Sequence, residues 1–147
     1  MKYTISDKVK YIHKILCKTE QIYYSLLKSK QMSDSEYILL YAVLEMGEGC
    51  SQKDIAENTF ISKKTLNSTV KKLEQNEIIK LKPGKYPNMH IYLTPKGTQY
   101  VQEKMIPIME AENAVLKNVT DEDFNRFALI ATKYIDMFAT QCSDEEE

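Results

Sequence analysis

The chain has only four glycines among its 147 residues, and they form neither a Gly-rich phosphate loop nor a nucleophile elbow. No Ser-His-Asp arrangement accompanies them, so an enzyme is not expected. The cysteines, Cys17, Cys50 and Cys142, are odd in number, widely spaced and without a Cys-x-x-Cys pair, which suits a reducing cytoplasm. The longest uninterrupted apolar run, from Tyr37 to Leu44, has eight residues. A membrane helix needs about 20, and no basic leader with a cleavage site opens the chain, so no membrane segment is expected. There are two histidines. One of them, His13, stands four residues before Cys17 with Glu20 nearby, a spacing that could hold a metal but also arises often by chance. Neither a metal nor another cofactor is expected.

What is present is an ordinary globular balance, 43% hydrophobic and 28% charged residues, with a length suited to one domain of residues 1–147. The informative stretch runs from Ser51 to Gly97. Ser51 with Asp54 three residues on starts a short helix whose inward face is Ile55 and Ala56. The connection Asn58-Thr59-Phe60-Ile61 leads to a second cap, Ser62. On the next helix Leu66, Thr69, Val70 and Leu73 share one side at 3.6-residue spacing, and Lys63, Lys64, Thr65, Asn67, Ser68, Lys71 and Lys72 lie away from it. The outward side thus combines ammonium groups that neutralise phosphate with short polar groups that can meet base edges.

Two β-like runs follow. Ile79 and Leu81 alternate with Ile78, Lys80 and Lys82. After the Pro83-Gly84-Lys85-Tyr86-Pro87-Asn88 turn, Ile91 and Leu93 alternate with His90 and Tyr92. Lys82, Lys85 and Asn88 then stand at or near the tip of a hairpin, where a wing meets backbone or minor groove. Residues 51–97 hold nine lysines and four acids, a net charge of +5. The whole chain is at −1, which leaves −6 for the remainder. A basic module inside an acidic protein is the footprint of a nucleic-acid contact.

The order Gln52-x-x-Ile55-Ala56, Leu73-Glu74, Ile78-Ile79 and Leu93-Thr94-Pro95-Lys96-Gly97 resembles the multiple-antibiotic-resistance regulator (MarR) family of bacterial transcription factors. With the flanking helices, the likeness covers nearly the whole chain. It implies a mainly α fold with a small β-hairpin wing: a winged helix-turn-helix over 34–94, flanked by dimerisation helices over 5–30 and 95–141, with an acidic tail at 143–147. Four positions depart from the family's pattern. The usual Asp-x-Arg of the wing falls on Lys85 and Pro87, the Gly three residues after Leu-Glu is Glu77, and an Arg at the base of the wing is Leu81. The one arginine, Arg126, lies far from the module.

The flanking segments carry the second expectation. A long helix is expected from about Ser6 to Lys30, and Ser33-Asp34-Ser35-Glu36 is a capping box that opens another helix reaching about Met46. Thr94 and Pro95 start a helix expected to continue to Lys117 with a kink near Pro107. A last helix begins at Thr120. Val9, Ile12, Leu16, Phe124, Phe127, Tyr134, Ile135 and Phe138 are more apolar surface than one small module would use. They are assigned to a two-fold homodimer interface, with a monomeric helical cap as the alternative.

The ten tyrosines are many for this length. The family resemblance implies a crevice for a small aromatic effector, for which Tyr11, Tyr23, Tyr37 and Tyr41 are candidates; the plainer reading is core with satisfied hydroxyls. The leading function is therefore a dimeric, sequence-specific regulator that binds double-stranded DNA, a ligand-responsive repressor on a palindromic operator. The alternatives are a thiol or metal sensor on the same fold, with Cys17 flanked by Lys14 and Lys18, and a winged helix that binds protein.

Overall fold

Hydroxyl caps set most of the helix starts. Ser6, Ser33, Ser51, Ser62 and Thr94 each accept a hydrogen bond from the backbone N–H three residues on, and Thr120 does the same for Asp123. In the computed structural model, which describes residues 4–84 and 89–143, these caps open most of the helices. The order is α1 (Asp7–Ser29), α2 (Asp34–Met46), α3 (Gln52–Asn58), α4 (Lys63–Gln75), β1 (Ile79–Pro83), β2 (Met89–Leu93), α5 (Pro95–Lys104), α6 (Ile106–Leu116) and α7 (Asp121–Ser143). The fold is mainly helical with a two-stranded antiparallel hairpin. By contacts the chain divides into two compact units, Met1–Ile108 and Met109–Glu147.

The core of the first unit is built around α2. Leu39, Leu40 and Val43 are buried there, with Ile55 from α3, Leu66, Val70 and Leu73 from α4, and Ile79 and Ile91 from the hairpin. The inward side expected for α4 is the buried one, Thr69 included. β1 and β2 pair with Ile79 opposite Leu93 and Leu81 opposite Ile91. A third segment joins them: Gly49 N–H donates to the Ile91 carbonyl, and Ile91 N–H donates to the Cys50 carbonyl, both at 2.9 Å. Two residues before α3 thus dock on β2, an attachment that no alternation of side chains reveals.

With so few glycines, two helices end in the left-handed region on ordinary side chains. At the end of α4, Glu77 has φ 60°, its N–H bonds to the Glu74 carbonyl, and Ile78 N–H bonds to that of Leu73 at 2.8 Å. This is a Schellman motif, and its apolar pair, Leu73 with Ile78, is buried. Ile78 therefore belongs to the helix ending and not to the polar side of the strand. The end of α1 repeats the pattern, with Gln31 at φ 53° and Met32 N–H bonded to Leu27.

The helix expected to run from Thr94 to Lys117 is two helices, with the break at Met105. Met105 N–H still bonds to Val101, but Ile108 N–H turns back three residues to Met105. Pro107 falls in the first turn of α6, where its missing N–H costs nothing. In the second unit α7 has no buried residue. Residues 144–147 of the expected acidic tail lie outside the described residues.

Candidate nucleic-acid interface

α4 presents an outward face without a single apolar side chain. Lys63, Lys64, Thr65, Asn67, Ser68, Lys71 and Lys72 are all exposed, while the opposite side is fastened to the core. Ser62 Oγ accepts the Thr65 N–H at 3.2 Å and lies 2.9 Å from the Thr65 hydroxyl. The Ser68 hydroxyl donates back to the Thr65 carbonyl at 2.8 Å. These bonds hold short side chains close to the helix and leave room beside it. The Asn67 side chain makes no hydrogen bond within the described residues. It lines, with Gln52, Lys53, Ala56, Glu57, Lys63 and Leu66, an open cleft of about 380 Å³ between α3 and α4.

The lysines of this face are not equivalent. Lys72 Nζ lies 3.1 Å from Glu36 Oε1, and Glu36, at the start of α2, is only 4% exposed. The other carboxylate oxygen of Glu36 accepts the Ser33 N–H and hydroxyl, both at 2.9 Å, and with the Glu36 N–H bond to Ser33 this completes the expected capping box. Burial alone pushes this carboxyl up, but the Ser33 hydrogen bonds and the Lys72 ammonium outweigh it and hold its pKa below the usual glutamate value. Lys63, Lys64 and Lys71 have no such partner among the described residues. Lys53, on the neighbouring helix, pairs with Glu57 at 3.7 Å in full view of solvent.

The base of the wing is clamped. The Thr94 hydroxyl bonds to the carbonyls of Glu77 and Ile78 and also accepts the Gly97 N–H at 2.9 Å. Gly97 must be glycine because a Cβ there would sit 1.9 Å from the Ile78 carbonyl oxygen. The Leu-Thr-x-x-Gly run is thus a staple between the end of β2, the end of α4 and the start of α5. Farther out, Lys82 Nζ stands 4.7 Å above the Tyr92 ring, which holds one wing cation over the sheet. Lys85 and Asn88, the remaining wing candidates, lie outside the described residues.

A helix-turn-helix whose second helix is followed by a stapled hairpin can be set beside known proteins. Residues 30–85 match the family model MarR_2, described as MarR family. The regulator NMB1585 of Neisseria meningitidis, a MarR family regulator, superposes with a TM-score of 0.81 at 15% identity, over 95% of this chain and 99% of that one. The chain has the MarR-family winged helix-turn-helix fold. Among other structures of the MarR fold, S. aureus MepR in complex with DNA gives a TM-score of 0.71 at 18% identity over 90% of this chain and 96% of that one. PcaV of Streptomyces coelicolor, in complex with its natural ligand, gives 0.67 at 14% identity over 91% and 98%. No curated protein matches the sequence.

Within the MarR fold the tyrosine candidates divide. Tyr23 of α1 and Tyr37 of α2 have ring centroids 6.1 Å apart, and Tyr37 and Tyr41 lie 6.0 Å apart, a tilted ladder linking the two helices. Burial, and then Tyr41, push the Tyr37 hydroxyl pKa up. Tyr11 is exposed and takes no part in the ladder. Val9, Leu16, Phe124, Phe127, Tyr134, Ile135 and Phe138 are all exposed, Phe127 by 70%, and Ile12 is half-buried. Cys17 is exposed, whereas burial first of all raises the pKa of Cys50. Among the described residues no three His, Cys, Asp or Glu side chains are grouped to hold a metal, and no helix is long and apolar enough to cross a membrane.

Two features of this surface escaped the sequence reading. Glu36 was readable as a cap but not as the partner of Lys72, because ion pairing between distant segments leaves no local spacing. Of the two apolar residues in the connection, Ile61 is buried and Phe60 is exposed, a difference that residue type alone does not reveal.

Proposed function

We propose that this chain is a cytoplasmic, homodimeric transcriptional repressor that grips a palindromic double-stranded DNA site through α4 and the wing, and that a small aromatic ligand loosens the grip. In this reading residues 1–147 act as one MarR-like domain, with 34–94 meeting DNA and the helices of 5–30 and 95–141 pairing two copies. The observation that carries it is the outward face of α4, where Lys63, Lys64 and Lys71 surround Thr65, Asn67 and Ser68 with no apolar residue between them. Such a face is suited to phosphates and base edges and ill suited to a protein partner, whose central contacts are apolar or aromatic. Ser62, Lys82, Lys85 and Asn88 extend the surface to the helix start and the wing. The tie to Glu36 makes Lys72 the weakest phosphate donor of the set.

Dimerisation draws its support from α7, a 23-residue helix with exposed Phe124, Phe127, Ile135 and Phe138 and no buried residue. An apolar surface of this size seeks a cover, and a second copy gives the two-fold symmetry that a palindrome matches. The DNA-bound MepR and the ligand-bound PcaV of like fold support the two partners, and the Tyr23–Tyr37–Tyr41 ladder supplies aromatic chemistry for the ligand.

Selection of bound fragments from random DNA tests the proposal. A recovered palindrome, with retention on DNA that falls steeply as salt rises, is the expected result. Recovery of no sequence preference and no salt-dependent retention would reject it.

A further inference from the structure

Phe60 is 88% exposed, the most exposed large apolar side chain among the described residues. Its position is fixed by the chain on either side. Thr59 is extended, with φ −129° and ψ 163°, and its hydroxyl donates to the Ile55 carbonyl at 2.8 Å while accepting the Ile61 N–H. Ile61 is seated in the core. Successive side chains of an extended segment point to opposite sides, so seating Ile61 turns Phe60 outward. It stands two residues before Ser62, the cap of α4, beside Lys63 and Lys64.

We propose that the Phe60 ring contacts the C5 methyl group of a thymine in the major groove, making it a specificity-determining residue of the DNA surface. The inference rests on the DNA-binding reading above. A thymine methyl is a single apolar point in an otherwise polar groove, and phenylalanine is among the side chains able to read it. Phe60 is its complement, one apolar ring among hydroxyl and ammonium groups. A second copy of the chain is a poorer occupant, because the long runs of exposed apolar side chains lie on α1 and α7 and not at this turn. The contact adds apolar readout to a face that otherwise offers hydrogen bonds and charge.

The test uses the full-length protein and its selected DNA site. Each thymine is replaced in turn by deoxyuridine, which removes the methyl group alone, and affinity is measured for the unaltered protein, Phe60→Ala and Phe60→Leu. The expected result is at least one thymine whose methyl is worth about fourfold in affinity to the unaltered protein, the effect of one buried methyl. That difference should vanish in Phe60→Ala and survive in part in Phe60→Leu. The salt slope should stay unchanged, since no phosphate contact is lost. Thermal unfolding of the variants should match the unaltered protein. Methyl effects equal in the unaltered protein and in Phe60→Ala, or an unchanged affinity of Phe60→Ala, would overturn the assignment while leaving DNA binding intact. Absence of any preferred site would overturn the DNA-binding reading and this one together.

Discussion

Glu36 and Lys72 join the start of α2 to the last turns of α4 across 3.1 Å, with the carboxylate buried and the ammonium more than half exposed. The pair ties α4 to the start of α2 at one point beside its outward face. Glu36→Gln keeps the shape, loses the charge and weakens the capping box, so it should cost about 1 to 3 kcal/mol near neutral pH. The exposed side of Lys72 moves the expectation toward the lower end. The folded carboxyl pKa is depressed, so the contribution is present above the free-glutamate range and lost as pH falls toward the folded value. Urea unfolding at about pH 7 and about pH 3 checks this, with the gap between the two proteins closing in acid.

Lys64→Ala, Lys71→Ala and Lys82→Ala should each weaken binding to all DNA sequences alike and reduce the salt slope by about 0.9 per lost phosphate contact. Lys72→Ala should change the slope less and the unfolding free energy more. Titrations over a range of salt concentrations measure both. Equal slopes for all four variants and the unaltered protein would remove α4 and the wing from the interface.

Asn67 has its amide uncommitted within the described residues and is suited to the N6/N7 edge of adenine. Asn67→Ala should cost about 1 to 3 kcal/mol on the preferred site and far less on random DNA. Competition between the two DNAs reads the difference directly. A loss of equal size on both would assign Asn67 to the backbone.

Glu77 holds a left-handed backbone with φ 60°, a conformation that costs a side-chain-bearing residue about 1–2 kcal/mol. Its ion pair with Lys96 is exposed on both sides and contributes little. Glu77→Gly should therefore stabilise the protein by about 0.5 to 1 kcal/mol after the added freedom of the unfolded chain is counted. Gln31→Gly should act in the same direction. Thermal unfolding checks both, and a lower midpoint would contradict the Schellman reading.

Phe127 and Ile135 are 70% and 61% exposed in the single chain, so a charge at either position need not disturb the fold of one copy. If α7 lies in a two-fold interface, Phe127→Glu or Ile135→Glu buries an unpaired carboxylate there. A stable interface of this kind often covers more than ~2,000 Å². Sedimentation should find the unaltered protein dimeric at micromolar concentration and either variant monomeric. DNA affinity should fall at least tenfold with the dimer, because two linked half-sites bind far better than one. An unaltered protein that sediments as a monomer and still holds a half-site tightly would reject the pairing.

Much of the fold was legible because its boundaries are local. Ser33, Ser51, Ser62, Thr94 and Thr120 mark helix starts by the acceptor each offers the N–H three residues on, and the Leu66, Thr69, Val70, Leu73 spacing gives the buried side of α4 directly. What was not legible depends on distant partners. The docking of Gly49 and Cys50 on β2 uses backbone groups, which leave no side-chain pattern. Glu36 reads as an exposed cap until Lys72 arrives from another helix. The break before Pro107 was foreseen as a bend, but its position at Met105 follows from burial of that side chain, which spacing alone does not reveal. Among the wing candidates, Lys82 is placed by the strand alternation, while Lys85 and Asn88 lie outside the described residues.

The Thr94 staple, with Gly97 pressed against Ile78, fastens both ends of the hairpin to the end of α4 at its base. The strand register and the end of α4 are thereby set at one shared point. Changes made far from this base should leave the pairing of Ile79 with Leu93 and the seating of α4 unaltered. The base is a fixed mount from which both strands and the helix take their positions.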